Sequence, residues 1–324
     1  MSVNYIVITP VRNEQERFPE TIASMVAQTI RPQRWIVVDD GSTDGTGVVA
    51  DRAAQAHSWI TVVHRPDRGF RKQGGGVIDA FYDGYALLNN QPSSAALPLR
   101  SGERAGVRCS DAPPLSTLNS QPSTPPWDYL AKLDGDLAFA PDYFEKCFAR
   151  FATDQKLGIG GGKIFYHLGG VLVDDAPGDP PFHVRGATKI YRRAGWDALG
   201  GLLRAPGWDT LDELKANMLG WQTYPFKELP VIQLKPTGSA DGTWKNWFKN
   251  GRANYITGYH PLFMISKCAR RFLSPPVGIA AVGLFCGFVS GYLSRLPQVP
   301  DLELIRYLRR QQLNRLLFRE SLWR

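Results

Sequence analysis

Apolar residues in the opening sixty positions fall into short β-branched runs separated by stretches with helical spacing. Residues 5–9, 35–38 and 60–64 read as strands, and helices are predicted over about 16–28 and 46–57 between them. The runs IVIT and WIVV are apolar at every position instead of alternating, as parallel strands covered by helices on both faces must be. This βαβαβ opening predicts a doubly wound α/β sheet. Ligands in such sheets bind beyond the carboxyl ends of the strands, so the residues that follow each apolar run are the ones to search for chemistry.

The same alternation continues with a helix predicted over 75–88, a strand over 127–133, a helix over 141–152, the strand-like GIGGGKIFY, a strand over 183–191 and a helix over 209–219, where the sheet is expected to be complete. Residues 89–126 interrupt it. They hold seven prolines, seven serines and no aromatic residue, a composition that forms no core and reads as a disordered insertion in a surface loop. A linker between two domains is the competing reading, but the strand pattern resumes at once after it. Residues 273–294 carry no charge, and residues 301–324 place Leu302, Ile305, Leu308, Leu313, Leu316 and Leu317 at helical spacing among six arginines. The division expected is therefore a main domain over 1–261 and a C-terminal segment over 262–324.

Composition adds two constraints. The 324 residues, 43% hydrophobic and 21% charged, suit a folded globular chain and exclude coils and collagen. The four cysteines are far apart, with no CxxC pair, so neither a disulfide framework nor a zinc site is indicated. The N-terminal MSVNYIVITP reads as a first strand and not as a signal peptide. Of the net charge of +8, residues 262–324 supply nearly all, with ten Lys/Arg against three Asp/Glu. That distribution argues against a nucleic-acid partner and for an anionic membrane surface near the C-terminal segment.

Five motifs stand where the sheet predicts chemistry. TPVRNEQE (residues 9–16) follows the first strand and VVDDGSTDGT (37–46) ends the second; each alone reads as a capped turn, and together they outline a nucleoside pocket. AKLDGDLAF (131–139) ends an apolar strand in Asp134-Gly135-Asp136, two carboxylates able to address one hard cation beside a glycine that lets a phosphate approach. RGFRKQGGG (68–76) lacks the residues of a Walker loop or a dinucleotide fingerprint, yet its cations suit a phosphate as well as they suit a solvated loop. GWDTLDELKANMLGW (207–221) puts Asp209 and Asp212 on one helical face, where either is a candidate base and Asp209 is also a candidate cap.

Taken together, TPVRNEQE, VVDDGSTDGT, KLDGD and HVRGATKIYRRAGWDALGG followed by GWDTLDE resemble the inverting family-2 glycosyltransferases of the GT-A fold, over about residues 5–234. The resemblance implies a GT-A type, mostly parallel sheet and a nucleotide-diphosphate sugar as donor. The donor would be held by Pro10, Arg12, Asn13, Glu14, Asp39, Asp40, Gly41, Ser42, Arg71, Asp134 and Gly135. It implies Mg²⁺ or Mn²⁺ on Asp134 and Asp136, and an aspartate base that deprotonates the acceptor. The sequence departs at the base: direct pairing puts Thr210 there, which cannot serve, so Asp212 is the preferred base and Asp209 the second. An anionic lipid phosphate as acceptor needs no base.

The reaction expected is a single displacement with inversion onto a glycan or lipid-linked acceptor, in surface polysaccharide or glycolipid synthesis. Two other classes remain: a nucleotidyltransferase, whose glycine- and lysine-rich first turn is missing, and a non-catalytic nucleotide-sugar binder, which Thr210 keeps open. The basic clusters on both sides of residues 273–294 disfavour a single crossing. A re-entrant or interfacial hairpin on the cytoplasmic face is expected instead, continued by the tail on the headgroups, with a buried core helix and an oligomerisation helix as the competing reading. Oligomeric state is not legible.

Overall fold

The computed structural model describes residues 3–69, 75–89, 126–235, 242–273 and 277–323; the insertion and Arg71 lie outside them. The opening is as the pattern requires: β1 (Tyr5–Val11), α1 (Phe18–Val26), β2 (Arg34–Asp39), α2 (Thr46–Ala56), β3 (Ile60–His64) and α3 (Gly76–Asn89). Next come β4 (Tyr129–Leu133), β5 (Leu137–Phe139), α4 (Tyr143–Thr153), β6 (Leu157–Leu168), β7 (Val171–Asp174), β8 (Thr188–Arg192), α5 (Arg193–Leu199), α6 (Trp208–Met218) and β9 (Gln222–Gln233). The sheet order is β3-β2-β1-β4-β8-β6-β9-β5, with β7 paired to β6. Strands β3, β2, β1 and β4 are parallel, as expected, and β8 then runs antiparallel to both β4 and β6. The parallel character therefore belongs to the N-terminal half, and the second half is mixed.

The uniform apolarity of the first strands has the predicted cause. One face of β1, β2 and β4 sends Tyr5, Val7, Trp35, Val37 and Ala131 into a cluster closed by α1, α2 and α4; the other sends Ile6, Ile8, Ile36, Val38 and Leu130 into a cluster closed by α3 and α5. The sheet is not complete at α6, contrary to the pattern. β9 carries Pro225 and Pro230, which remove two ladder donors and masked it, yet it pairs parallel to β6 and antiparallel to β5, with a register shift between Gly162 and Lys163.

A third cluster joins Phe182, Leu211 and Leu214 to α7 (Thr243–Ile256), α8 (Pro261–Phe272), α9 (Ile279–Leu293) and α10 (Leu302–Leu316). α9 lays Gly283, Gly287 and Gly291 against α7; a Cβ on Gly287 would stand 2.0 Å from the Phe248 carbonyl oxygen, so these backbones touch only because the side chains are absent. Among the described residues no helix is long and apolar enough to cross a membrane. The tail helix corrects one expectation. Asp301 caps α10 through Leu304 N–H (3.0 Å), and Leu304, Ile305 and Leu308 are buried in the third cluster, so the face expected on headgroups packs on the protein, leaving Leu302 and Leu317 outside.

Candidate active site

Three acidic strand ends meet along the carboxyl edge of β2, β1 and β4, where Val11 pairs with Asp39 and Ile8 with Lys132. The loops after β1 and β2 are stitched to each other. Asn13, at φ 54, donates its N–H to Ser42 Oγ (3.1 Å) and accepts the Thr43 N–H on Oδ1 (2.8 Å). The Glu14 N–H reaches Thr46 Oγ1 (2.8 Å), and the Gly45 N–H reaches Gln15 Oε1 (2.7 Å). Pro10 is buried in β1, and Gly41 takes φ 70 with the Asp67 backbone 2.6 Å from where a Cβ would be.

The two adjacent aspartates have separate positions. Asp39 accepts the Ser42 N–H on Oδ1 (2.9 Å), and its Oδ2 meets His64 Nδ1 (3.1 Å), whose Nε2 meets Asp51 (3.0 Å). The hydrogen bond to the Asp51 carboxylate leads the effects that push the His64 imidazole upward, so it carries its proton more readily than a free histidine. Asp40 is taken up: Arg68 holds both of its oxygens (2.7 and 2.6 Å) and Arg65 bonds Oδ1, while Arg12 donates to its carbonyl (2.6 Å) and to Asp67 (2.7 Å). Asp40 and Arg12 therefore fasten the loop after β3, with the Asp40 carboxylate already held by arginines. His64 was missed. The rule that finds polar residues at parallel strand ends points to it, since it is the last residue of β3.

At the end of β4, Gly135 presses against β1, a Cβ there falling 2.4 Å from Val11 Cγ1. Asp136 is 8% exposed, and its carboxyl is pushed up to about 6 by burial and by the charges of Asp134 and Glu14. A buried acid facing two other acids is a donor set that a cation would relieve, so the residues fit Mg²⁺ or Mn²⁺, which Asp134 and Asp136 would hold. Among the described residues no third acid, histidine or cysteine joins them as a ligand cluster. Lys132, inside the apolar strand, bonds Asp134 Oδ1 and the Gly186 carbonyl (2.7 Å). That lysine ties the Asp134-Gly135-Asp136 turn to the loop beside α6.

α6 gives its two aspartates different surroundings. Gly207 enters it at φ 76, a left-handed turn that sets Trp208 and Asp209 in the first turn. Asp212 is buried, 4% exposed, and fully engaged: Lys189 Nζ bonds Oδ1 (2.7 Å), Tyr191 OH bonds Oδ2 (2.6 Å), and the Glu213 N–H also bonds Oδ1 (2.7 Å). Burial leads the effects that push its carboxyl up to about 7. Asp212, the aspartate preferred from the sequence as base, therefore has both oxygens taken up by β8. Asp209 is half-buried, its carboxylate takes part in no hydrogen bond or ion pair among the described residues, and it lies beside Gly186, where a Cβ would stand 3.2 Å from its own. Burial pulls its carboxyl up, but His183, Lys189, Arg185 and Lys132 outweigh that and hold it below the usual carboxylate range. The helix start adds to the same effect.

Beneath it lies a buried charge network that the sequence did not disclose. Lys189 bonds the Asp209 carbonyl, Asp212 and Glu213 (2.9 Å), and Glu213 holds His183 Nδ1 (2.8 Å) and the Val184 N–H (2.7 Å). Lys189→Met leaves two buried carboxylates without their cation. The expected cost is about 3–5 kcal/mol, read as a lower midpoint in denaturant unfolding, whereas an exposed ion pair would cost under about 1 kcal/mol.

The fold defines the class: an α/β protein of GT-A type whose first half is parallel. Residues 6–75 match the model of Glycosyl transferase family 2, which bears out the resemblance drawn from the motifs. No curated protein matches the chain. Among solved structures it is similar to the mannosyltransferase PcManGT from Pyrobaculum calidifontis in complex with GDP-Man and Mn²⁺, at 16% identity and TM-score 0.50, covering 93% of this chain and 78% of that one. It is also similar to S. aureus TarS 1-349 in complex with UDP-GlcNAc, at 13% identity and TM-score 0.50, covering 96% and 81%.

Proposed function

We propose that the protein transfers a glycosyl group from a nucleotide-diphosphate sugar to an acceptor hydroxyl with inversion at the anomeric carbon. The observation that carries this is the ionised, unpaired Asp209 standing one lysine away from the Asp134-Gly135-Asp136 turn, so that a base and a cation site share one edge of the sheet. In this reading Asp39 and the stitched loops receive the nucleoside, with Asn13 and Glu14 at their rim. Asp134 and Asp136 hold Mg²⁺ or Mn²⁺, which neutralises charge on the departing diphosphate. Asp209 takes the acceptor proton as the new glycosidic bond forms and the bond to the diphosphate breaks, the pair of electrons leaving with the nucleotide. The similar structures that hold GDP-Man with Mn²⁺ and UDP-GlcNAc support this choice of donor class.

The reading extends to the cytoplasmic face of a membrane, in polysaccharide or glycolipid synthesis. It is supported by the exposed apolar side chains of α8 and α9 with the basic residues Arg270 and Arg271 at their edge. Thermal shift with UDP-, GDP-, CDP- and TDP-sugars in the presence of Mn²⁺ tests the donor claim. At least one is expected to raise Tm in a cation-dependent way and to be consumed with nucleotide release; no response to any of them rejects it.

A further inference from the structure

His64 stands between two carboxylates. It is the last residue of β3 and the register partner of Asp39, the last residue of β2, so the two side chains leave neighbouring strand ends together. Its Nδ1 meets Asp39 Oδ2 (3.1 Å), and its Nε2 meets Asp51 Oδ1 (3.0 Å). A carboxylate oxygen only accepts, so the ring satisfies both neighbours only with a hydrogen on each nitrogen, as an imidazolium. The hydrogen bond to Asp51, and then that to Asp39 against the opposing effect of burial, pull its proton in the same direction. Arg65, the next residue along the chain, does not compete for Asp39. Its guanidinium is turned to Asp40 and to Asp83 (2.8 Å).

α2 completes the arrangement. Gly47 and Asp51 are one turn apart on that helix and share a face. A Cβ on Gly47 would stand 2.9 Å from Asp39 Oδ2 and 3.2 Å from His64 Cε1, so the helix closes over the pair only because that side chain is missing. Asp51 then holds the far nitrogen and sets the plane of the ring. Asp39 is 6% exposed, with Oδ1 on the Ser42 N–H (2.9 Å) and Oδ2 on the ring. Each oxygen keeps a lone pair after its one bond. What Asp39 still offers is acceptor capacity alone, in a fixed direction.

We propose that His64 is a positioning residue for the nucleobase of the donor, fixing Asp39 so that bases with a ring N–H (uracil, thymine or guanine) are taken in preference to cytosine. The difference lies on the ring edge. Uracil and thymine at N3, and guanine at N1, carry a hydrogen that a fixed carboxylate accepts, whereas N3 of cytosine carries a lone pair that the same carboxylate repels. A site built to bond one polar group rejects the analogue that leaves it unmatched. An Asp39 free to turn away would lose the distinction. This rests on the glycosyl-transfer reading, in which Asp39 receives the nucleoside.

The test is calorimetric titration of the full chain with UDP, TDP, GDP and CDP in the presence of Mn²⁺. At least one of the first three is expected to bind about tenfold or more tighter than CDP. His64→Leu is expected to weaken that nucleotide to the level of CDP, while CDP itself stays within about twofold. His64→Asn, whose amide places an N–H near the position of Nδ1, is expected to keep most of the preference. Because the His64 side chain is 48% exposed, both variants are expected to fold, and Tm measured alongside checks this. A purely structural role would weaken all four nucleotides alike in His64→Leu, and that result overturns the proposal. So does an unchanged preference in His64→Leu, its loss in a folded His64→Asn, or a wild type that prefers CDP. Binding of all four without preference removes this inference and leaves the transfer reading standing; failure of the wild type to bind any of them removes both.

Discussion

Asp209→Asn is expected to lower kcat by about 10²–10⁴-fold while leaving donor affinity unchanged, the loss that follows removal of a general base whose neighbours stay in place. The substitution is nearly isosteric, and because the Asp209 carboxylate takes part in no internal hydrogen bond or ion pair, the fold has little to lose. Asp212→Asn should behave differently, since it disturbs an oxygen bonded by Lys189 and the Glu213 amide; its main effect is reduced stability. The pH profile separates the two acids independently. A base must be ionised, so kcat falls as pH drops through its pKa. With Asp209 held below the ordinary carboxylate range, kcat at saturating donor and cation should show no acid limb from the base between about pH 5 and 8. A base at Asp212, pushed up to about 7, would put that limb in the middle of the window. Retention of more than about a tenth of the turnover in Asp209→Asn, or a limb near neutrality that the Asp212 substitution moves, would return the base to Asp212.

That reversal shows what kind of information the pattern carries. Spacing placed Asp209 and Asp212 on one helical face, and both are on α6, but which of them sees solvent depends on Lys189 and Tyr191, brought beneath α6 by the antiparallel pairing of β8 with β4 and β6. The parallel strands declared themselves because burial on both faces forces every position to be apolar. Asp39, Asp134 and Asp136 were singled out by the rule that ligands bind beyond such strand ends, and they do stand at or just past the ends of β2 and β4. Asp40 and Arg12 have the right neighbours in sequence, yet Arg65 and Arg68, over twenty residues further on, claim Asp40 first. β9 was hidden by Pro225 and Pro230, which a strand tolerates here because the register shifts beside them. The C-terminal pattern was ambiguous for a different reason. A helix with one apolar face reads the same whether lipid or protein covers it, and for α10 the cover is the third cluster, while for α8 and α9 the outer face remains exposed.

Asp136 gives the second large effect and ties stability to function. A carboxyl raised to about 6 in the folded chain and near its ordinary value when unfolded keeps its proton longer in the native state. Between about pH 4 and 6 the native state therefore binds more protons, and this group's contribution to stability falls as pH rises through that window, by up to about 3 kcal/mol. Above it the cation-free protein holds a buried carboxylate repelled by Asp134 and Glu14. Asp136→Asn is thus expected to raise Tm of the cation-free protein at neutral pH, and to abolish both the Mn²⁺-dependent rise in Tm and donor consumption. In the wild type the cation should bind more weakly as pH falls through about 6, because the proton competes for the same oxygens. Asp134→Ala should lose the same cation response and in addition free Lys132, whose ammonium also bonds the Gly186 carbonyl next to Asp209. Calorimetric titration of Mn²⁺ against both variants at two pH values measures all of this. If Asp136→Asn binds Mn²⁺ as the wild type does, the cation belongs elsewhere, and the repulsion around Asp136 is a feature of folding alone.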